Sequence, residues 1–295
     1  MQLRSVIRKY PLVMIVIGII GISLSSIFVK FSSAPSGVTA TFRLGWTVLL
    51  MTPAVFTNGK VRKELFSIRP SNVLLSCISG FFLAIHFILW FESLNHTSVA
   101  SSTTIVCTEV IWVSLGYCLF LKGKLGLKAI WCMAVTLIGS VLIALSDHSA
   151  GTVQVYGDLL ALAAAVAVAV YVLIGRVVRV SVSTTVYTYI VYVSCASVLL
   201  LITMFQGISL LECDTSVVIV GLLLALFSTI LGHSIFSWCL KYFSPSFVSA
   251  SKLCEPVVAA AIAYVLFGET LSFMQLIGGI LIIGGVYSFS KIELN

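Results

Sequence analysis

The sequence predicts an all-α polytopic membrane protein: ten transmembrane helices arranged as two inverted five-helix repeats. Three observations carry that expectation. Composition is the first: 60% of residues are hydrophobic and only 9% charged, with a mean hydropathy of +1.15, whereas a soluble domain has about a quarter of its residues charged. Segmentation is the second, because the 295 residues divide into apolar stretches of roughly 20, the length that crosses a hydrocarbon core about 30 Å thick. The third is loop charge. With the N-terminus inside, every Lys and Arg except Lys30, Arg43 and Lys252 falls on the inner side and the outer loops hold none, a positive-inside bias that places both termini in the cytoplasm of a cell-membrane protein.

The segments follow from this in order. The first, 11–31, follows Arg4, Arg8 and Lys9 and is too long for the apolar core of a cleaved leader. The second, 36–56, opens after Ala34-Pro35 and ends at Asn58-Gly59; the longest connection, 57–71, then carries Lys60, Arg62, Lys63 and Arg69. The third, 72–93, and the fourth, 97–119, are parted by Asn95-His96, and Lys122, Lys124 and Lys128 surround the next inner turn. The fifth, 126–146, stops before Ser149-Ala150-Gly151. The sixth, 157–176, repeats Ala161, Ala165 and Ala169 at a four-residue spacing that lets helices approach closely. Arg176 and Arg179 precede the seventh, 185–205. The eighth, 216–239, leads to Lys241 and Ser244-Pro245; the ninth, 246–267, ends at Gly268-Glu269; and the tenth, 273–290, precedes Lys291.

A shift of about 146 residues lays the second half on the first. Leu94 falls on Leu240, Glu109 on Glu255, Lys30 on Arg176 and Arg43 on Tyr189; a one-residue slip places Gly123 on Gly268, Gly139 on Gly284 and Val141 on Val286. Two units of five spans cross the bilayer in opposite senses, so residues 1–150 and 151–295 form an inverted repeat, an architecture typical of secondary transporters. The net charge of +7 is read as topology and not as nucleic-acid binding. All of the eight Cys except Cys213 fall inside predicted helices without metal-ligand spacing, so no metal and no cofactor is expected.

Ionisable groups at mid-bilayer cost about 2.5–3.5 kcal/mol on insertion scales and call for a reason. Glu109 and Glu255 are repeat mates, and each lies about 14–18 Å into its helix at 1.5 Å per residue. They are candidates for substrate or proton binding, against a reading as packing carboxylates. Lys252 precedes Glu255 by three positions, which on one helix face predicts a local ion pair. That leaves Glu109 as the expected proton carrier. Arg43 is either an interface anchor or a contact for a substrate carboxylate. His86 and His233 sit on mated helices and are either proton relays or neutral rings bonded to carbonyls. Trp90 and Tyr189, with Trp112, Trp238, Tyr117 and Tyr264, either stack on a solute or pack.

Leu89-Trp90-Phe91-Glu92-Ser93-Leu94 followed by Thr97-Ser98-Val99-Ala100-Ser101-Ser102 resembles the third-to-fourth-helix region of EamA-type members of the drug/metabolite transporter superfamily. Ser249-Ala250, Glu255-Pro256, Gly268-Glu269, Gly278-Gly279 and Gly284-Gly285 are similar to the end of that family's repeat, and Lys30 and Arg43 match its usual residue types. Two positions depart from the pattern: Glu109-Val110 where a proline often stands, and Gly123-Lys124 where Gly-Glu is usual. The resemblance implies ten helices, cytoplasmic termini and transport of small organic solutes, often outward. The expected function is a secondary carrier that exports an amino-acid-like metabolite or drug by alternating access with proton exchange. Its partners would be the solute, protons and the lipid bilayer, and no catalytic residues are expected. Uptake or exchange of a nucleoside or S-adenosyl compound is the alternative within that class. A channel is a third class, and an intramembrane enzyme a fourth that lacks any HExxH or GxSxG motif.

Overall fold

The computed structural model describes every residue except 1, 30, 33, 98, 147–154, 211–212, 268–271 and 295. Its described elements are helical: α1 Gln2–Val29, α2 Ser36–Thr57, α3 Gly59–Ser67, α4 Pro70–His96, α5 Val99–Cys107, α6 Glu109–Phe120, α7 Leu127–Ser146, α8 Val155–Val178, α9 Thr184–Phe205 and α10 Thr215–Leu223. A π-helical stretch, Leu224–His233, leads into α11 Ser234–Cys239, and α12 Pro245–Lys252, α13 Glu255–Phe267 and α14 Phe273–Leu294 complete the order. The chain is a polytopic all-α membrane protein.

Among the described residues, eight helices are long and apolar enough to cross a bilayer: 10–29, 37–57, 70–96, 102–120, 155–178, 184–205, 215–239 and 273–294. The other two predicted segments are helical but fall short of that measure. In α7 the apolar helix covers only Leu127–Ile143, and the ninth segment is divided into α12 and α13 at Leu253–Cys254. A further difference is α3, which forms within the connection 57–71. Asn58 explains it: its side-chain oxygen accepts from the Lys60 and Val61 amides at 3.1 and 3.4 Å, satisfying donors that a helix start leaves open. Lys30 lies outside the described residues.

Packing relies on small residues and short polar ties, as expected where lipid supplies no hydrophobic drive between helices. Ala161, Ala165 and Ala169 of α8 are all buried, and α8 packs on α4. At the edge of the bundle α7 meets α14 through facing glycines. A Cβ on Gly139 would lie 2.6 Å from the Gly278 carbonyl oxygen, and one on Gly278 would lie 2.6 Å from that of Gly139. Three buried tyrosines each find a serine hydroxyl: Tyr187 with Ser79 at 2.7 Å, Tyr171 with Ser237 at 2.9 Å and Tyr192 with Ser234 at 2.9 Å.

At the end of the bundle that carries α3, charged side chains tie neighbouring helices together through their backbone groups. Arg179 donates to the carbonyls of Ser237, at 3.1 Å, and Val182; Arg176 donates to those of Leu240 and Phe243. Glu64 accepts from the Ser183 amide at 2.6 Å, and Glu293 from the amide and hydroxyl of Ser244. Ser183 and Ser244 are the N-caps of α9 and α12.

Candidate functional site

Two helix interruptions build the centre of the bundle. One separates α5 from α6 at Thr108, and the other separates α12 from α13 at Leu253–Cys254. Each closes with tightened i→i−3 bonds: the Thr108 amide and hydroxyl both donate to the Ile105 carbonyl, at 3.0 and 2.6 Å. In the second break Leu253 N donates to Ala250 O and Cys254 N to Ser251 O, at 3.1 and 3.2 Å. Pro256 contributes to that break, since it has no N–H for the Lys252 carbonyl one turn back. The first break forms without a proline, through the Thr108 hydroxyl. As a result Glu109 and Glu255 each open a half-helix and Lys252 closes one. Negative charge at a helix start and positive charge at a helix end are both favoured by the helix dipole.

The expected Lys252–Glu255 pair does not form. Lys252 Nζ instead lies 2.8 Å from Glu109 Oε1, with the two side chains 13% and 6% exposed. The reason is the break: Lys252 and Glu255 are three residues apart but belong to different half-helices, so the same-face rule for a continuous helix does not apply to them. Residues of α12 pack on α6, and that contact brings the ammonium to Glu109. The assignment of the uncompensated carboxylate is therefore reversed. Glu109 holds the counter-ion, while the Glu255 side chain makes no hydrogen bond or ion pair among the described residues. The Glu255 backbone carbonyl accepts from Ser23 at 3.3 Å.

Arg43 is the largest fully buried side chain, 1% exposed, so it does not snorkel to an interface. Its Nε donates to Thr229 Oγ1 at 2.8 Å and one terminal nitrogen reaches Ser25 Oγ at 3.4 Å. The guanidinium carbon stands 4.4 Å above the Phe87 ring. Among the described residues no carboxylate oxygen comes within 4.0 Å of it. Its partner Thr229 sits in the π-helical stretch, where the wider turn lets its hydroxyl reach the Leu224 carbonyl five residues back, at 3.2 Å. Such π turns concentrate at functional sites.

One cavity is lined by Ile22, Ser25, Arg43, His86, Trp90, Thr103, Val106, Cys107, Glu109, Val168, His233, Ser249, Lys252, Leu253 and Glu255. His86 Nδ1 lies 3.0 Å from the Ala164 carbonyl. A carbonyl only accepts, so Nδ1 carries the hydrogen and a neutral ring leaves Nε2 as an acceptor. Trp90 stacks on His86 at 6.0 Å and 15°, and His233 stands edge-on to Phe87 at 5.6 Å. Trp90 Nε1, His233 Nδ1 and Ser249 Oγ are buried without a protein partner among the described residues. A buried polar atom left unsatisfied costs about 1–3 kcal/mol, and the residues of all three line the cavity.

Seven of the eight candidate residues thus converge: Glu109, Glu255, Lys252, Arg43, His86, Trp90 and His233. Tyr189 does not. Its hydroxyl is 3.1 Å from Thr52 and its ring packs edge-on against Phe56, because its face of α9 is turned to α2 and not to the cavity. Ser25, Thr103, Thr229 and Ser249 were not candidates in the sequence, since single hydroxyls in apolar helices carry no pattern; Ser249 alone stood within a family-like stretch. Among the described residues no three His, Cys, Asp or Glu side chains are grouped to hold a metal ion.

With this geometry in view, residues 155–291 match the EamA-like transporter family. That match covers 137 of the 295 residues, and there the chain is similar to EamA-type members of the drug/metabolite transporter superfamily. Over 79 residues it is 42% identical to the probable amino-acid metabolite efflux pump of Salmonella typhimurium, a stretch covering 27% of this chain and only 26% of the pump. It is 23% identical to the uncharacterized transporter YxxF of Bacillus subtilis over 97% of this chain and 89% of that one. A solved crystal structure superposes with a TM-score of 0.78 at 17% identity, covering 97% and 98% of the two chains, and speaks for the fold alone. The matched family unit contains His233, Lys252 and Glu255; Arg43, His86, Trp90 and Glu109 come from the half before it. The cavity is built from both halves of the chain.

Proposed function

We propose that this protein is a secondary active carrier that exports a small organic solute bearing a carboxylate, an amino-acid-like metabolite or a drug, by alternating access. The observation that carries the proposal is Arg43: a guanidinium 1% exposed, facing a cavity, with no protein carboxylate within 4.0 Å among the described residues. Burying an ion is costly unless it is paired. Its planar fork of donors matches a carboxylate in two-point contact, so a solute carboxylate supplies the missing charge.

The carrier works as ten spans in two inverted repeats, 1–150 and 151–295, in the cell membrane with both ends cytoplasmic. The repeat is supported by the paired breaks that place Glu109 and Glu255 alike and by the reciprocal contact of Gly139 with Gly278. The orientation is supported by the basic inner loops. Outward direction is supported by the efflux pump that matches 79 residues. The coupling ion is a proton and its carrier is Glu255, the cavity carboxylate without a counter-ion, in place of Glu109.

A ligand that binds the folded state raises its apparent stability, by about 2.7 kcal/mol at a hundredfold excess over Kd. The test is a thermal-shift screen of amino acids, amines, nucleosides and S-adenosyl compounds against the wild type and Arg43→Gln. Stabilising solutes will carry a carboxylate, and Arg43→Gln will lose the shift. Stabilisation by amines lacking a carboxylate, unchanged in Arg43→Gln, would defeat the proposal.

A further inference from the structure

We infer that α3 is a binding site for the headgroups of anionic phospholipids. The helix follows α2 after the single residue Asn58 and is joined to α4 by Ile68 and Arg69. A short amphipathic helix strung between two spanning helices lies along the membrane surface. Its two faces are chemically distinct. Val61 and Leu65 pack against the hydrophobic core. Lys60, Arg62, Lys63 and Phe66 are exposed, and Phe66 is 75% exposed.

Phe66 is four residues from Arg62 and three from Lys63, so on a helix both cations flank the ring. None of Lys60, Arg62, Lys63 or Arg69 forms an ion pair among the described residues. The only acid of the helix, Glu64, is turned inward and accepts from the Ser183 amide at 2.6 Å, so it anchors α3 to α9 and does not neutralise the cationic face. Phe66 also meets Phe56 edge-on at 6.5 Å, and Phe56 meets Tyr189 at 6.3 Å, a series of rings that holds the exposed phenyl in place.

Loop charge alone would follow from topology. The exposed ring does not. A large apolar side chain held in the open between two unpaired cations suits one environment, the headgroup layer, where the ring enters the acyl boundary and the cations meet lipid phosphates. Zwitterionic lipids offer the phosphate with its charge already cancelled by the amine, so the unpaired cations select anionic lipids. Each Lys or Arg near such a surface contributes a factor of about fivefold in binding.

The experiment uses the whole purified protein in a neutral detergent, offered phosphatidylglycerol or phosphatidylcholine of identical acyl chains, with retained lipid counted by native mass spectrometry. The wild type is expected to retain phosphatidylglycerol in preference. Arg62→Gln with Lys63→Gln should weaken that retention by about 25-fold, while Arg62→Lys keeps it. Phe66→Ser should lower retention of phosphatidylglycerol while leaving its sensitivity to salt intact. Because Arg62 and Lys63 are exposed, their double variant should keep the wild-type unfolding midpoint, which separates lost binding from lost folding. Retention of phosphatidylglycerol unchanged in that double variant overturns the assignment. So does competition by inorganic phosphate at equal concentration, which would make this a site for free anions.

Discussion

The Lys252–Glu109 pair gives the sharpest mutational prediction, because its two members have different second choices. At 2.8 Å, with side chains 13% and 6% exposed, it is a buried pair, and removing one partner from such a pair typically costs about 3–5 kcal/mol. Glu109→Gln should cost less, about 1–2 kcal/mol, because Glu255 lines the same cavity as a replacement partner for the freed ammonium and a pair to a charged group recovers about 1.5–3 kcal/mol. Lys252→Met has no such relief. It leaves both carboxylates in the cavity without the cation, and should cost the full range of about 3–5 kcal/mol. The double variant should cost less than the sum by about 2 kcal/mol, well beyond the 0.3–0.5 kcal/mol or so within which independent sites add. Equilibrium unfolding of the purified variants in mixed micelles measures all three. Additivity, or a Lys252→Met variant no less stable than Glu109→Gln, would refute the pairing and the exchange of partners that follows from it.

Other outcomes follow from separate parts of the structure. Gly139→Val should lower stability by about 1–3 kcal/mol, since a Cβ there meets the Gly278 carbonyl oxygen at 2.6 Å; Gly284→Ala, with nothing within 4 Å, should not, and equal unfolding midpoints for the two would contradict the glycine contact. In reconstituted vesicles Glu255→Gln should abolish net transport driven by a pH gradient while leaving solute exchange intact; gradient-driven transport by Glu255→Gln equal to that of the wild type would remove Glu255 as the proton carrier. Reporters fused after Leu65 and Val180 should score cytoplasmic and one at His148 external, and a cytoplasmic score at His148 would overturn the topology.

Much of the bundle was legible from the chain because its signals are one-dimensional. Apolar runs and loop charge mark where helices start and stop, and α2, α4, α8 and α9 begin and end within a few residues of the expected positions. That the two glutamates sit at one cavity was also readable, because a charged group deep in an apolar run needs a cavity to face; for Arg43, His86, Trp90 and His233 the chain left anchoring or packing open, and only the folded bundle brings them to the same cavity. What the sequence hid was three-dimensional choice among partners. Lys252 and Glu255 have the spacing of a helical pair, and only the break at Leu253–Cys254 sends the ammonium to Glu109 instead. The π-helical stretch Leu224–His233 leaves no compositional trace, yet it positions Thr229 against Arg43. In α3 a signal was present: Asn58 as a cap, and Val61 and Leu65 one turn apart. It lay within a connection whose basic residues pointed to topology alone.

The central claim is that Arg43 receives a solute carboxylate in a carrier cavity, and solute counterflow tests it most directly. Proteoliposomes preloaded with the stabilising solute are diluted into a trace of labelled solute, or of its carboxamide analogue, for the wild type, Arg43→Lys and Arg43→Gln. The account predicts transient accumulation of the carboxylate but not of the amide by the wild type. In Arg43→Lys the accumulation is weakened, because the charge stays but the two-point fork is lost; in Arg43→Gln it falls by 30-fold or more, roughly the 2–5 kcal/mol cost of leaving one partner of a buried charged contact unpaired. Equal accumulation of carboxylate and amide, or wild-type counterflow by Arg43→Gln, would contradict it.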